Sequence, residues 1–136
     1  MLPMSRLTSF FASLLLLASA GVDALPSDSE QPIHIQADAA EMNDSTGISI
    51  YRGNVVIDQG TLHIKADEVR IRMDNSNEVE EIIARNYGLG SLAHFEQQPD
   101  ADDDKVLADA IIITYFVKEK KLNLSGSARL RYSHNY

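Results

Sequence analysis

A period-two apolar pattern that repeatedly changes parity constrains the fold of this chain more than any other feature. Apolar side chains fall at Ile33, Ile35 and Ala37, at Ile48 and Ile50, at Val55 and Ile57, and at Leu62, Ile64 and Ala66. They then fall one position out of step, at Val69, Ile71 and Met73. Alternation continues at Ile82 and Ala84, at Leu92 and around Phe95, at Ile111, Ile113 and Tyr115, and at Leu122, Leu124, Ala128 and Leu130. Successive side chains of a strand point to opposite faces, so this spacing describes half-buried strands. Turn-forming groups separate the runs: Asp44-Ser45-Thr46-Gly47, Asp58-Gln59-Gly60, Asp74-Asn75-Ser76-Asn77, Tyr87-Gly88-Leu89-Gly90 and Lys118-Glu119-Lys120-Lys121. No stretch after residue 33 sustains helical spacing with caps. The reading is all-β, mostly an antiparallel meander.

The parity changes follow a repeated motif of apolar, any, Ala, Asp. It occurs at Ile35-Gln36-Ala37-Asp38, Ile64-Lys65-Ala66-Asp67 and Val106-Leu107-Ala108-Asp109. Glycine-bearing companions follow two of these, Tyr51-Arg52-Gly53-Asn54-Val55 and Leu124-Ser125-Gly126-Ser127-Ala128. A change of parity inside a strand needs an extra residue, which means a β-bulge or corner that bends the strand. At such a step Ala leaves space, and Asp can accept hydrogen bonds from backbone N–H groups released by the broken ladder. Bent strands stacked one on the next fold a sheet over, with one apolar face inside.

The first residues carry a different signal. MLPMSR supplies one base, a short apolar run follows, and Val22-Asp23-Ala24 ends in a small residue. That is the layout of a secretory signal peptide over residues 1–24, with cleavage expected after Ala24 and Ala20 as the alternative. Residues 25–32 read as a flexible leader, 33–132 as one domain and 133–136 as a short tail. The formal charge of −8 argues against nucleic acid, where phosphate neutralisation dominates affinity. The absence of cysteine rules out disulfides and thiol chemistry.

Catalytic groupings are missing from the sequence. There is no GxSxG, HExxH or phosphate-binding glycine loop. His34 and His63 each precede an Ala-Asp step, and alternation points them away from the apolar stripe, as repeated surface positions. Glu80 and Glu81 lie on opposite faces of a strand, which does not suit shared acid–base work. The acidic run Gln97 to Lys105 lacks the glycine and terminal glutamate of a calcium loop and reads as a solvated connection. No metal or cofactor is expected. Periodicity by itself leaves two readings of the apolar stripe open, a closed core and a groove for an apolar ligand.

A family resemblance separates them. Gln31-Pro32-Ile33-His34-Ile35, Gly53-Asn54-Val55, Gln59-Gly60-Thr61, Ile64 and Ala66-Asp67 resemble the OstA/LptA family. The similarity continues through Tyr87-Gly88, Phe95, Ala108-Asp109, Tyr115 and Leu124-Ser125-Gly126-Ser127-Ala128. The resemblance implies an open, twisted β-jellyroll of stacked antiparallel strands. It also implies a non-enzymatic periplasmic protein that carries lipopolysaccharide between the inner-membrane and outer-membrane transport proteins. On that basis the lipid A acyl chains are expected against Ile33, Ile35, Ile50, Ile64, Ile71, Phe95, Ile111, Ile113, Tyr115 and Leu124. The partner edge is expected at Ile33, His34, Ile35 and Gln36, with OstA-like partner domains or further copies joining head to tail. The alternative is a structural adaptor that pairs by its edges and carries no lipid. One departure is visible. Where family members continue with a further strand pair and a polar tail, this sequence has Arg131-Tyr132-Ser133-His134-Asn135-Tyr136. That bears on the exit-side contact and leaves the N-terminal half untouched.

Overall fold

The structure is a computed structural model and describes residues 28–133, apart from positions 89 and 101. The signal-peptide segment and residues 134–136 of the expected tail lie outside the described residues. Among the described residues a 3-10 turn, Asp28–Glu30, precedes ten strands. These are β1 (His34–Gln36), β2 (Ala39–Asn43), β3 (Ile48–Gln59), β4 (Leu62–Met73), β5 (Val79–Arg85), β6 (Ala93–Gln97), β7 (Lys105–Ala110), β8 (Ile112–Phe116), β9 (Lys121–Ser125) and β10 (Arg129–Ser133). Every pairing is antiparallel.

The two long strands span a bend, and this divides the sheet into two facing layers. A near layer runs in the order β1, residues 55–59 of β3, residues 62–66 of β4, β6, β7, β10. A far layer runs β2, residues 48–52 of β3, residues 68–73 of β4, β5, β8, β9. The result is the folded-over sheet expected from the parity changes, and it is the twisted β-jellyroll that the family resemblance implies.

The bend is built at the Ala66-Asp67 step, with one correction of detail. Between the pairs Arg52↔Glu68 and Val55↔Ala66, Gly53 and Asn54 stand opposite Asp67, so the extra residue belongs to the companion strand β3. Gly53 and Asn54 both have positive φ, 84° and 48°. Two consecutive left-handed residues turn the strand sharply, and glycine meets the first without strain. The Asp38 side chain closes the corner. Its N–H donates to Gly53 O at 2.9 Å, and its Oδ2 accepts from Asn54 Nδ2 at 3.1 Å. Asp67 works as its motif suggested, accepting the Tyr87 backbone N–H at 2.9 Å.

The third step is displaced from its expected place. Ala108-Asp109 stays inside the β7 ladder, with Ala108 opposite Phe95 and Leu130. The bend falls at Ile111, whose N–H donates to Gly126 O at 2.8 Å, as Asp38 does to Gly53. Gly126 and Ser127 repeat the left-handed pair, with φ of 86° and 51°. The spatial counterpart of Asp38 is therefore Ile111, two residues beyond Asp109.

The core lies between the layers. Phe95, Ile57, Leu62, Ile64, Ile82, Ile113, Val55 and Val69 are the largest fully enclosed side chains. Each contributes about 1.5–3 kcal/mol by leaving water. All buried residues among those described are apolar or tyrosine.

Candidate functional site

Directly paired residues share a face, so the pairing register shows how far the apolar inner face extends. In the middle it is closed, with Ile57↔Ile64↔Phe95↔Ala108 across the near layer. In the far layer Val69↔Ala84↔Ile113 and Ile71↔Ile82↔Tyr115 do the same. Phe95 and Tyr115 join the layers edge to face, with ring centroids 5.2 Å apart. The same face then continues past the closed middle on both sides. On one side it reaches Ile35 opposite Ile57 and Met42 opposite Ser49. On the other it reaches Leu122 opposite Tyr115, Leu124 opposite Ile113, Leu130 opposite Ala108 and Tyr132 opposite Val106. Met42, Leu130 and Tyr132 are well exposed.

A cavity of about 440 Å³ opens between the layers, away from the corner line. Its apolar wall includes Leu62, Phe95, Val106, Val117, Leu122 and Leu130. Its polar rim is made by Asp28, Gln59, Gln97, Asp100 and Lys120. Tyr115 stands where wall and rim meet. Burial, helped by the nearby Asp28 carboxylate, pushes its hydroxyl above the ordinary pKa, against a hydrogen bond from Gln97.

The expected leader is not loose over its described part. Asp28 Oδ1 accepts the Thr61 N–H at 2.8 Å, and Oδ2 accepts Thr61 Oγ1 at 2.7 Å and Gln97 Nε2 at 2.9 Å. Gln59 Nε2 also donates to Gln31 O at 3.0 Å. Residues 28–32 are thereby tied across the mouth of the cavity.

The ten expected lipid-facing residues fall into three groups. Ile64, Ile71, Phe95, Ile113 and Tyr115 are buried on the inner face, and Ile33, Ile35 and Leu124 are half-buried against the same core. Ile50 is on the other face, opposite Arg70 and Glu41, because the inward positions of that half of β3 are Ser49 and Tyr51. Ile111 sits at the corner against Gly126 and is 42% exposed. Both isoleucines therefore leave the trough set. Three of the four expected partner-edge residues, His34, Ile35 and Gln36, form β1, which among the described residues pairs only with β3, and His34 and Gln36 are exposed. Sequence reasoning missed Leu122, Val106, Leu130 and Tyr132, although Leu122 and Leu130 lie in the alternating pattern. It also missed Asp28 and Gln97, for which no local pattern existed.

The outer face carries charge pairs. Arg72 bridges Glu80 at 2.7 Å and Glu81 at 3.3 Å, so the two glutamates expected on opposite faces meet one guanidinium, because an irregularity in the β4–β5 pairing falls at Glu80. His34 and His63 both flank Asp58, as neighbouring surface positions, and His63 pairs with it. His94 is held between Asp109 at 2.7 Å and Glu96 at 2.9 Å, and Lys105 meets Glu96 at 2.8 Å. The Lys105 ammonium and His94 hold the Glu96 carboxyl down at about 2. Among the described residues, no group of three or more His, Asp or Glu is placed to hold a metal ion. An apolar trough with a polar mouth can bind and shield hydrocarbon.

Comparison with known proteins points the same way. Residues 34–136 match a family described as LptA/(LptD N-terminal domain) LPS transport protein. The lipopolysaccharide export system protein LptH of Pseudomonas aeruginosa is 35% identical over 126 residues, which cover 93% of this chain and 70% of that protein. The lipopolysaccharide export system protein LptA of Escherichia coli is 32% identical over 120 residues, covering 88% of this chain. The matched stretch spans 63% of that relative's length. The crystal structure of LptH, described as the periplasmic component of the lipopolysaccharide transport device, superposes with a TM-score of 0.69 at 34% identity. That match covers 79% of this chain and 71% of LptH.

Proposed function

The chain belongs to the LptA/LptD N-terminal-domain family of lipopolysaccharide transport proteins, a family of carriers and not of enzymes, and from that membership we propose that it binds lipopolysaccharide in the periplasm. It acts there as a bridge between inner-membrane and outer-membrane transport components, after removal of residues 1–24. Residues 33–132 form the carrying domain. The acyl chains lie in the trough against Ile33, Ile35, Phe95, Tyr115 and Leu124, joined by Leu122 and Val106, with the buried Ile64, Ile71 and Ile113 packed behind them on the same face. Sugars and phosphates stay in water.

One observation carries this reading. The inner apolar face runs on uncovered at both sides of the closed middle, through Ile35 and Met42 on one side and Leu124 and Leu130 on the other. Contiguous exposed apolar surface of this kind marks ligand-binding grooves and interaction sites. Each methylene moved from water onto such a face contributes about 0.8 kcal/mol, so a passive trough is enough to hold several chains. The free edges of β1 and β2 supply unpaired N–H and C=O groups for an OstA-like partner domain or another copy to join by strand addition.

The adaptor reading draws on the closed middle, where Phe95 and Tyr115 already meet. A photo-crosslinking amino acid at Ile35 or Leu124, with exposed Asn123 as control, decides between them in lipopolysaccharide-producing cells. Lipopolysaccharide adducts at the inner positions alone support the carrier. Protein adducts without lipopolysaccharide at either inner position leave the adaptor standing.

A further inference from the structure

The mouth of the cavity holds a fixed negative charge. Asp28 is clamped by three donors from Thr61 and Gln97, with both carboxylate oxygens engaged. Its position is cut closely: a Cβ on Gly60 would stand 2.4 Å from Asp28 Oδ1. Among the described residues no lysine, arginine or histidine forms an ion pair with Asp28. The other charged groups lining the cavity are Asp100 and Lys120, so carboxylates outnumber ammonium groups at the mouth. Behind Asp28, Gln97 links it to the Tyr115 hydroxyl, and beyond these polar groups the wall is hydrocarbon.

This arrangement treats the polar end of a bound chain according to its charge. An amide N–H or a hydroxyl can donate to a carboxylate, which has about four acceptor positions. A second anion in the same place meets like charge beside a low-dielectric wall, where repulsion is strong. We infer that Asp28 is a selectivity residue: it admits acyl chains joined to a sugar through a neutral amide or ester linkage and turns away chains whose own terminus is anionic, such as free fatty acids. The inference rests on the trough reading above. It assigns to the first described turn of the chain a part in ligand choice as well as in folding.

The test is displacement of an apolar fluorescent dye from the full chain by N-tetradecanoylglucosamine and by tetradecanoate, which have equal chain lengths. At neutral pH and low salt the wild-type protein is expected to bind the neutral probe at least about ten-fold more tightly, a lower bound for one like-charge contact near a protein surface. Asp28→Asn keeps the size, removes the charge and exchanges one acceptor oxygen for an amide donor, and should bring the ratio to within about two-fold mainly by tightening fatty-acid binding. An unchanged circular dichroism spectrum and melting temperature serve as the check on folding. Raising salt to about 0.5 M should narrow the wild-type ratio without any substitution, and this decides the matter if the variant does not fold. A ratio unmoved by both Asp28→Asn and salt overturns the selectivity role and leaves the trough intact. Failure of both probes to displace the dye overturns the trough and the selectivity role together.

Discussion

Phe95 and Tyr115 meet edge to face, 5.2 Å between ring centroids, and they come from opposite layers of the folded sheet. Phe95 is 2% exposed and Tyr115 8%, so the pair acts as the clasp of the closed middle. Phe95→Ala should cost about 3–5 kcal/mol, because it removes the transfer energy of the ring and leaves a cavity. Tyr115→Phe keeps the ring contact and loses only the link to Gln97, worth about 0.5–1.5 kcal/mol. Urea unfolding of the two variants measures both. A Phe95→Ala loss below about 1 kcal/mol would mean that the layers are held elsewhere.

The corner glycines should separate strain from crowding. Gly53, Gly126 and Gly90 all have positive φ, at 84°, 86° and 85°. A Cβ at Gly53 would lie 2.4 Å from Asp38 Oδ2, and one at Gly126 would lie 2.8 Å from Ile111, whereas Gly90 faces open space. Gly90→Ala should therefore cost only the conformational term, about 1–2 kcal/mol. Gly53→Ala and Gly126→Ala should cost clearly more. Equal melting temperatures for the three variants would contradict the corner as described.

Faces of β3 and β4 can be told apart by charge. Ile50 lies outward against Arg70, while Ile71 is 3% exposed on the inner face. Ile50→Glu should be tolerated within about 1 kcal/mol, because the Arg70 guanidinium on one side offsets the Glu41 carboxylate on the other. Ile71→Glu should prevent folding, since it buries an unpaired carboxylate. Soluble yield and circular dichroism give the answer. Good folding of Ile71→Glu would reverse the assigned faces.

His94 gives a pH dependence of known sign. Burial works to lower its pKa, but hydrogen bonds to Glu96 and Asp109 outweigh burial and raise it above 6.5. The proton is therefore held more tightly in the folded state. The stability this contributes is fully present below 6.5 and is lost as pH rises through the folded-state pKa. His94→Gln should flatten that part of the stability curve. An NMR titration placing the His94 midpoint below 6.5 would show that burial wins instead.

Much of the candidate site was legible because alternation is a local rule. Ile64 and Ile71 share the inner face on either side of the slip at Ala66-Asp67, and the slip itself announced the bend. Ile50 was misassigned for the same reason. The apolar pair Ile48 and Ile50 reads as an inward run, yet the inward side of β3 passes through Ser49 and Tyr51 to Val55 without a change of parity. Both isoleucines are half-buried on the outside, opposite Arg72 and Arg70. Long basic side chains can cover apolar ones there, so a hydrophobic residue need not mark the core.

The amino-acid pattern by itself determined an all-β chain whose strands bend, with one apolar face and no catalytic grouping, because period-two spacing and left-handed Gly-Asn or Gly-Ser pairs act within a few residues. Only the tertiary structure decided which strand carries the extra residue at each corner, that Ile111 takes the place of Asp38, and that Asp28 reaches Thr61 and Gln97 at the mouth of the trough. Those choices depend on pairing between segments 33 and 69 positions apart, where no local rule reaches.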